Sequence, residues 1–185
     1  MTPVPRNLMS FAFITLAGVL IFTQAAPAAV GDVHALQNFK QVDSQLYRGA
    51  QPSKEGFQEL AEMGIKTVVD LRGGEGRSDK EGQLVRALGM KYVNVPLDGY
   101  QAPASDDVSK LLALLEDQSA GPVFVHCRRG ADRTGTVLAA YRIEHDHWSN
   151  QQALDEAKTM KMASSEKLMQ KFVREFKPAT IVAAR

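Results

Sequence analysis

Apolar residues after position 38 recur with two different spacings, and the two alternate along the chain. Short runs rich in β-branched and aromatic residues predict strands over 39–42, 46–48, 66–71, 92–97 and 123–125. Apolar residues at helical spacing predict helices over 53–63 and 78–88, after Ser105, around 137–141, after Ser149 and along 168–176. This order predicts an α/β domain with a central, mostly parallel sheet flanked by helices.

Polar residues mark the predicted starts of three helices. Ser78 with Glu81, and Ser149 with Gln152, have the spacing of a capping box, in which each side chain bonds to the backbone of the other residue. Ser105 stands before the apolar residues of the third helix and predicts an N-cap.

The first 28 residues have a different character. An apolar run from Leu8 to Phe22 follows Arg6, and it is shorter than the roughly 20 residues needed to cross a bilayer. Ala26-Pro27-Ala28 offers a cleavage site for a signal peptidase. We therefore expect a signal peptide over 1–28, a single domain over 31–178, a flexible tail over 179–185, and an exported protein that is periplasmic or secreted. The alternative is an uncleaved membrane anchor.

The charge balance restricts the partners. The chain of 185 residues has 22 Lys and Arg against 21 Asp and Glu, and Arg6 is the only charge before residue 29. A net charge close to zero gives no overall attraction to nucleic acid, so anion binding must come from a local arrangement. The one cysteine excludes an intramolecular disulfide and a multi-thiolate zinc site.

One loop carries most of the chemistry. Residues 126–135 read His-Cys-Arg-Arg-Gly-Ala-Asp-Arg-Thr-Gly and lie between a predicted strand and a predicted helix. Such a loop can curl so that its amides and the positive end of the helix surround a tetrahedral dianion. The predicted phosphate-binding residues are Arg128, Arg129, Gly130, Ala131, Asp132 and Arg133. The same positive field favours the thiolate of Cys127, which makes it a candidate nucleophile.

The residues of this loop have separable roles. We expect Arg133 to hold two phosphate oxygens with its planar guanidinium, and Thr134 to donate a hydrogen bond to the sulfur. Gly130 would permit a close backbone approach, and His126 would order the loop. Asp132 is expected to point outward, because a carboxylate facing phosphate would repel it. The side chains of Arg128 and Arg129 either bind substrate or are solvated.

Three other functions also use a loop that binds an anion or carries a cysteine. A nucleotide-binding loop needs Gly-Lys-Ser/Thr, which is absent. A sulfurtransferase of the rhodanese type usually has a cysteine loop one residue shorter. A non-catalytic phosphate-binding module is the remaining alternative.

The pattern Cys-x5-Arg-Thr resembles the signature of cysteine-dependent protein tyrosine phosphatases. The segments 46–52 and 69–72 resemble the dual-specificity-like branch, including its bacterial members, and the resemblance covers about 39–176. It implies phosphomonoester hydrolysis through a cysteinyl-phosphate, without metal or cofactor. The implied substrate is a phosphorylated protein, above all one that carries phosphotyrosine, or a small phosphomonoester. Inositol phosphates and phosphoinositides are the alternative substrates.

The resemblance also implies a general acid upstream of the cysteine. Asp98 directly follows the predicted strand 92–97, whose end lies at the same sheet edge as Cys127. Asp106 and Asp107 are competitors, although they suit the first turn of a helix. Arg48 and Arg72 either contact the pocket or form structural ion pairs, and the sequence leaves both options open.

Overall fold

The computed structural model describes residues 36–74 and 76–178. The predicted signal peptide over 1–28 and the predicted tail over 179–185 lie outside these residues. Five strands are present in the described part: β1 Lys40–Gln41, β2 Leu46–Ala50, β3 Thr67–Asp70, β4 Lys91–Asn94 and β5 Val123–Cys127.

The strands form one sheet in the order β1-β2-β5-β3-β4. Only β1 pairs in an antiparallel manner, and β2, β5, β3 and β4 are parallel, which confirms the predicted sheet. Ala50 pairs with Cys127, and Asp70 pairs with His126. The carboxyl ends of three neighbouring strands therefore meet beside the cysteine.

Six α-helices surround the sheet in the described part: α1 Lys54–Glu62, α2 Arg77–Ala87, α3 Ser105–Glu116, α4 Asp132–Glu144, α5 Asn150–Thr159 and α6 Lys167–Glu175. One face of the sheet packs on α1 and α2 through a core that includes Phe57, Val85 and Phe124. The other face packs on α3 and α4. A third apolar cluster joins α5 and α6 to α4. Within the described residues, no helix is long and apolar enough to cross a membrane.

The helix starts differ in part from the predicted caps. The capping box of Ser149 and Gln152 is confirmed. The box of Ser78 and Glu81 is wrong, because the N-cap of α2 is Gly76 and Glu81 turns into the core to meet buried charges. The cap at Ser105 is also wrong: Ala104 is the N-cap of α3, and Ser105 is its first helical residue.

Candidate active site

Cys127 ends β5 at the floor of a cleft of about 790 Å³. The next four residues form an irregular loop, and α4 begins at Asp132. Arg128, Arg129 and Arg133 line the same cleft. The hydrophobic strand and the helix after it thus bring the cysteine and three guanidinium groups to one cavity at the carboxyl edge of the sheet.

The backbone amides of the loop are a second feature of the site. Within the described residues, none of the backbone N–H groups of 128–131 donates to a backbone carbonyl. The amino end of α4, where helix amides also lack partners, follows directly. Unpaired amides around a cleft form a site for an anion, because a phosphate can accept all of them.

Gly130 allows the loop to take this shape. Its φ is +64°, in the left-handed region that residues with a Cβ rarely adopt. A Cβ at this position would lie 2.3 Å from the carbonyl carbon of Gly49. The end of β2 therefore approaches the loop closely, as the sequence predicted for Gly130.

Two side chains hold the carbonyl groups of the loop. Nη2 of Arg48 donates to the carbonyl of Gly130 over 2.8 Å, and Nδ2 of Asn38 donates to the carbonyls of Arg129 and Gly130 over 3.2 and 3.0 Å. Arg48 is 1% exposed, and burial lowers its pKa to about 10, against the opposing effect of Glu156. Arg48 thus supports the loop from behind and is not among the residues that line the cleft.

A buried charge network lies behind His126. Nε2 of His126 is 3.0 Å from Oε1 of Glu81, and Nη2 of Arg72 lies 2.6 Å from Oε2 of Glu81 and 2.7 Å from Oδ2 of Asp70. Burial acts to raise the pKa of Asp70, but the hydrogen bonds from Arg72 and the charge of His126 outweigh it and hold the pKa below its ordinary value. Arg72 therefore forms structural ion pairs and does not line the cleft.

This network resembles a metal site in composition only. Asp70, Glu81 and His126 have ligand atoms within 4.8 Å of one another, and they are the one such cluster in the described ranges. The guanidinium of Arg72 bonds to both carboxylates. A cation of the protein itself therefore already neutralises these acids.

The charged side chains of the loop divide into paired and unpaired groups. Nη2 of Arg129 lies 2.6 Å from Oδ2 of Asp132, while the exposed side chain of Arg128 has no ion pair within the described residues. Oδ1 of Asp132 also accepts the N–H of Ala163 over 2.9 Å. The carboxylate of Asp132 is therefore bound by other groups of the protein.

Arg133 and Thr134 occupy the start of α4. Nη1 of Arg133 donates to the carbonyl of Leu71 over 3.4 Å, a weak bond that leaves the guanidinium available to the cleft. The hydroxyl of Thr134 is fully buried and has no hydrogen-bond partner among the described residues. The predicted bond from Thr134 to the sulfur of Cys127 is therefore not formed in this structure.

The loop that carries Asp98 reaches the cleft, but the carboxylate does not. Gly99 and Tyr100 line the cavity. Oδ1 of Asp98 accepts the backbone N–H groups of Tyr100 and Gln101 over 2.7 and 3.0 Å, and the side chain is exposed. Asp106 and Asp107 lie in the first turn of α3 and do not line the cleft.

The sequence reasoning missed Asn38, Glu81 and Lys161. Asn38 clamps the loop, Glu81 faces His126, and Lys161 lines the cleft. Asn38 and Lys161 carried no signal, because they lie far from the motif along the chain. Glu81 lies four residues before Val85 on the same face of α2, and both side chains are buried. This spacing was a usable signal that Glu81 points into the core.

Comparison with known proteins identifies the family of this chain. The sequence model of the family described as "DSP-PTPase phosphatase fused to NAD+ Kinase" matches residues 27–175. The dual specificity protein phosphatase TpbA of Pseudomonas aeruginosa is 30% identical over 131 residues, which are 71% of this chain and 58% of TpbA. The chain thus spans little more than half of the length of that relative.

Solved structures show the same fold. The core catalytic domain of the PP-IP phosphatase SIW14 from Saccharomyces cerevisiae, in complex with citrate, superposes with a TM-score of 0.72 at 24% identity, over 83% of this chain and 93% of that domain. A variant of Pseudomonas aeruginosa TpbA in complex with pTyr gives a TM-score of 0.66 at 25% identity, over 80% of this chain and 89% of that one. Because the family model matches most of the length of this chain, the chain belongs to the DSP-PTPase family of dual-specificity-type phosphatases.

Proposed function

We propose that this protein hydrolyses phosphomonoesters through a cysteinyl-phosphate, with phosphotyrosine in proteins as the main substrate. The observation that carries the proposal is that the loop amides next to Cys127 and Arg133 have no backbone acceptor among the described residues. The similar TpbA binds pTyr in a solved complex, which supports a phosphorylated substrate here.

The proposed reaction has two steps. The thiolate of Cys127 attacks phosphorus, the S–P bond forms, and the P–O bond to the leaving group breaks. Asp98 gives its proton to the departing oxygen, which is otherwise a poor leaving group. Water then attacks the cysteinyl-phosphate with Asp98 as base, and the thiolate leaves. The loop amides and Arg133 stabilise the negative charge of both transition states.

Asp98 needs a change of conformation for this role. Its carboxylate must release the amides of Tyr100 and Gln101 and turn toward the cleft. The loop already reaches the cavity through Gly99 and Tyr100, so the required movement is local. Thr134 has a buried hydroxyl with no hydrogen-bond partner among the described residues, and it can donate to the sulfur when the thiolate leaves.

Inositol phosphate hydrolysis is the second candidate. A relative named inositol diphosphatase SIW14 is 26% identical over 145 residues, and its catalytic core shares this fold. The cationic cleft suits such a substrate as well as a phosphoprotein. A non-catalytic phosphate-binding module is less well supported, because such a module needs no cysteine at the floor of its site.

The test is Cys127→Ser, assayed on phosphotyrosine peptides, phosphoserine peptides and inositol phosphates with EDTA present. Serine is not ionised near neutral pH, so turnover should vanish while binding of inorganic phosphate survives. Activity of the wild type in EDTA is expected, because the mechanism uses no metal. Turnover by the serine variant above a trace would contradict the role of Cys127. Turnover of thiosulfate in place of aryl phosphates would indicate a sulfurtransferase.

We also propose that the protein is exported, on the strength of the apolar run 8–22 and the site at 26–28. Sequencing of the natively expressed protein should give an N-terminus near Ala29. An intact Met1 in a soluble cytoplasmic fraction would contradict this proposal.

A further inference from the structure

Three consecutive carbonyl groups of the loop after the cysteine are bound by donors from distant parts of the chain. The backbone N–H of Gln51 donates to the carbonyl of Arg128 over 3.3 Å. Nδ2 of Asn38 donates to the carbonyls of Arg129 and Gly130 over 3.2 and 3.0 Å. The loop is therefore held by its carbonyl groups.

These contacts decide which way the peptide groups of the loop face. The peptide bonds of the described residues are all trans, and a trans peptide places its C=O and its N–H on opposite sides. When Asn38 holds the carbonyl of Arg129, the N–H of Gly130 must point away from Asn38. The carbonyl of Gly130 fixes the N–H of Ala131 in the same way. Neither N–H donates to a backbone carbonyl of the described ranges, so both are available to an anion.

The side-chain amide of Asn38 is fully used by these contacts. Its Nδ2 also donates to the carbonyl of Met160, the C-cap of α5, over 3.1 Å. Three carbonyl groups thus share the two hydrogens of one amide. Asn38 lines the cleft, but its amide has no further hydrogen to offer a substrate. Any effect of Asn38 on phosphate must therefore pass through the loop.

The backbone of Asn38 is fixed in a conformation that suits this residue type. Its φ is +51°, in the left-handed region that asparagine tolerates better than most residues. On one side, the carbonyl of Gln37 accepts the N–H of Ala50 over 2.8 Å. On the other side, the ring of Phe39 stacks on that of Phe124. These neighbours hold Asn38 in place beside the loop.

We infer that Asn38 is a positioning residue for the phosphate site, because its amide binds two carbonyls of the loop and so turns the N–H groups of Gly130 and Ala131 toward the bound oxyanion. The inference rests on the proposed phosphatase function. The bond to Met160 also makes the orientation of the loop depend on the packing of α5. A merely structural role of Asn38 would stabilise the fold without changing the affinity of the folded protein for phosphate.

The test replaces Asn38 by glycine, which adopts a positive φ without strain and lacks the amide. In a Cys127→Ser background, calorimetry should show that Asn38→Gly binds orthophosphate about tenfold more weakly, because charge-assisted hydrogen bonds from the loop are lost. With Cys127 present, kcat for an aryl phosphate should fall as well, since the same amides stabilise the transition state. Asn38→Asp keeps the size of the side chain but has no hydrogen to donate when ionised, so its loss should be at least as large.

A matched control is Asn150→Ala. Nδ2 of Asn150 donates to the carbonyls of Val173 and Phe176, each over 2.8 Å, and none of these three residues lines the cleft. This variant should lower the urea midpoint and leave orthophosphate affinity and kcat unchanged.

A lower urea midpoint for Asn38→Gly with unchanged orthophosphate affinity would overturn the inference, and so would equal effects of Asn38→Gly and Asn150→Ala on that affinity. If Asn38→Gly does not fold, Asn38→Asp decides by the same comparison. Binding is measured without turnover, so these outcomes are separate from a failure of the proposed function. That failure would appear as absent turnover in the wild type.

Discussion

Nε2 of His126 lies 3.0 Å from Oε1 of Glu81, and His126 is fully buried. The contact joins α2 to the residue directly before Cys127. The same carboxylate accepts hydrogen bonds from Arg72 and from Gln51. The loop that carries the cysteine is therefore anchored to a charge network inside the core, in addition to the hydrogen bonds that Arg48 and Asn38 donate to its carbonyl groups.

Replacement of Glu81 should disturb this anchor. Glu81→Gln keeps the size of the side chain but leaves the charge of Arg72 less well compensated in a buried position, so we expect a loss of roughly 2–4 kcal/mol in the free energy of unfolding. Urea denaturation measures it. Asp79→Asn, at an exposed position of the same helix, is the control and should have little effect. Equal stabilities of the two variants would show that the network does not support the fold.

Gly130→Ala should be more harmful than an equivalent change elsewhere. The new Cβ would meet the backbone of Gly49 at 2.3 Å in addition to the cost of a positive φ. Gly89 also has a positive φ, +80°, but a Cβ there meets nothing within 4 Å. We expect Gly89→Ala to cost about 1 kcal/mol and Gly130→Ala clearly more, with loss of phosphatase activity. Denaturation and turnover of an aryl phosphate check both. Similar costs at the two positions would contradict the close approach.

Asp98→Asn should impair turnover most when the leaving group is basic. An aryl group of low pKa departs without a proton, whereas an alkyl group does not. The ratio of wild-type to variant kcat should therefore rise along a series of substrates with increasing leaving-group pKa. Asp106→Asn is the matched control and should give a constant ratio near one. A constant ratio for Asp98→Asn would return the role to Asp106 or Asp107.

Acid should destabilise the fold through buried carboxylates. Burial acts to raise the pKa of Asp70 and Glu156, but hydrogen bonds from Arg72 to the first and from Arg142 to the second outweigh it, and both values are lowered. A lowered pKa stabilises the fold at pH values above the pKa of the group in the unfolded chain, which is about 3.9 for Asp and 4.3 for Glu. This stability is lost as the pH falls through the pKa values that the two carboxyl groups have in the folded protein.

Urea midpoints measured between pH 7 and about pH 3 should therefore be level at first and then fall steeply below about pH 4. Asp70→Asn should lower the midpoint at pH 7 and make the fall less steep, because one of the carboxylates is gone. Asp79→Asn again serves as the control. An unchanged slope for Asp70→Asn would mean that its ion pair with Arg72 does not contribute to acid sensitivity.

The sequence by itself determined the architecture and the place of the cysteine. The alternation of spacings is a local property, since it depends only on which face of a strand or helix is buried. It predicted the mostly parallel sheet, and the position of Cys127 at a strand end followed from it. The need for glycine at position 130 also followed from the motif alone.

Only the tertiary structure decided which distant groups meet the loop. Asn38 bonds to a carbonyl 91 positions away, and Lys161 reaches the cleft only because α5 and α6 pack on α4. Glu81 has the spacing of a cap residue, yet burial beside His126 and Arg72 outweighs the local hydrogen bond. The sequence placed Asp98 on a loop that reaches the cleft, but its carboxylate accepts the backbone N–H groups of Tyr100 and Gln101. Periodicity reports the burial of each element, whereas the pairing of charges depends on the distances that packing creates.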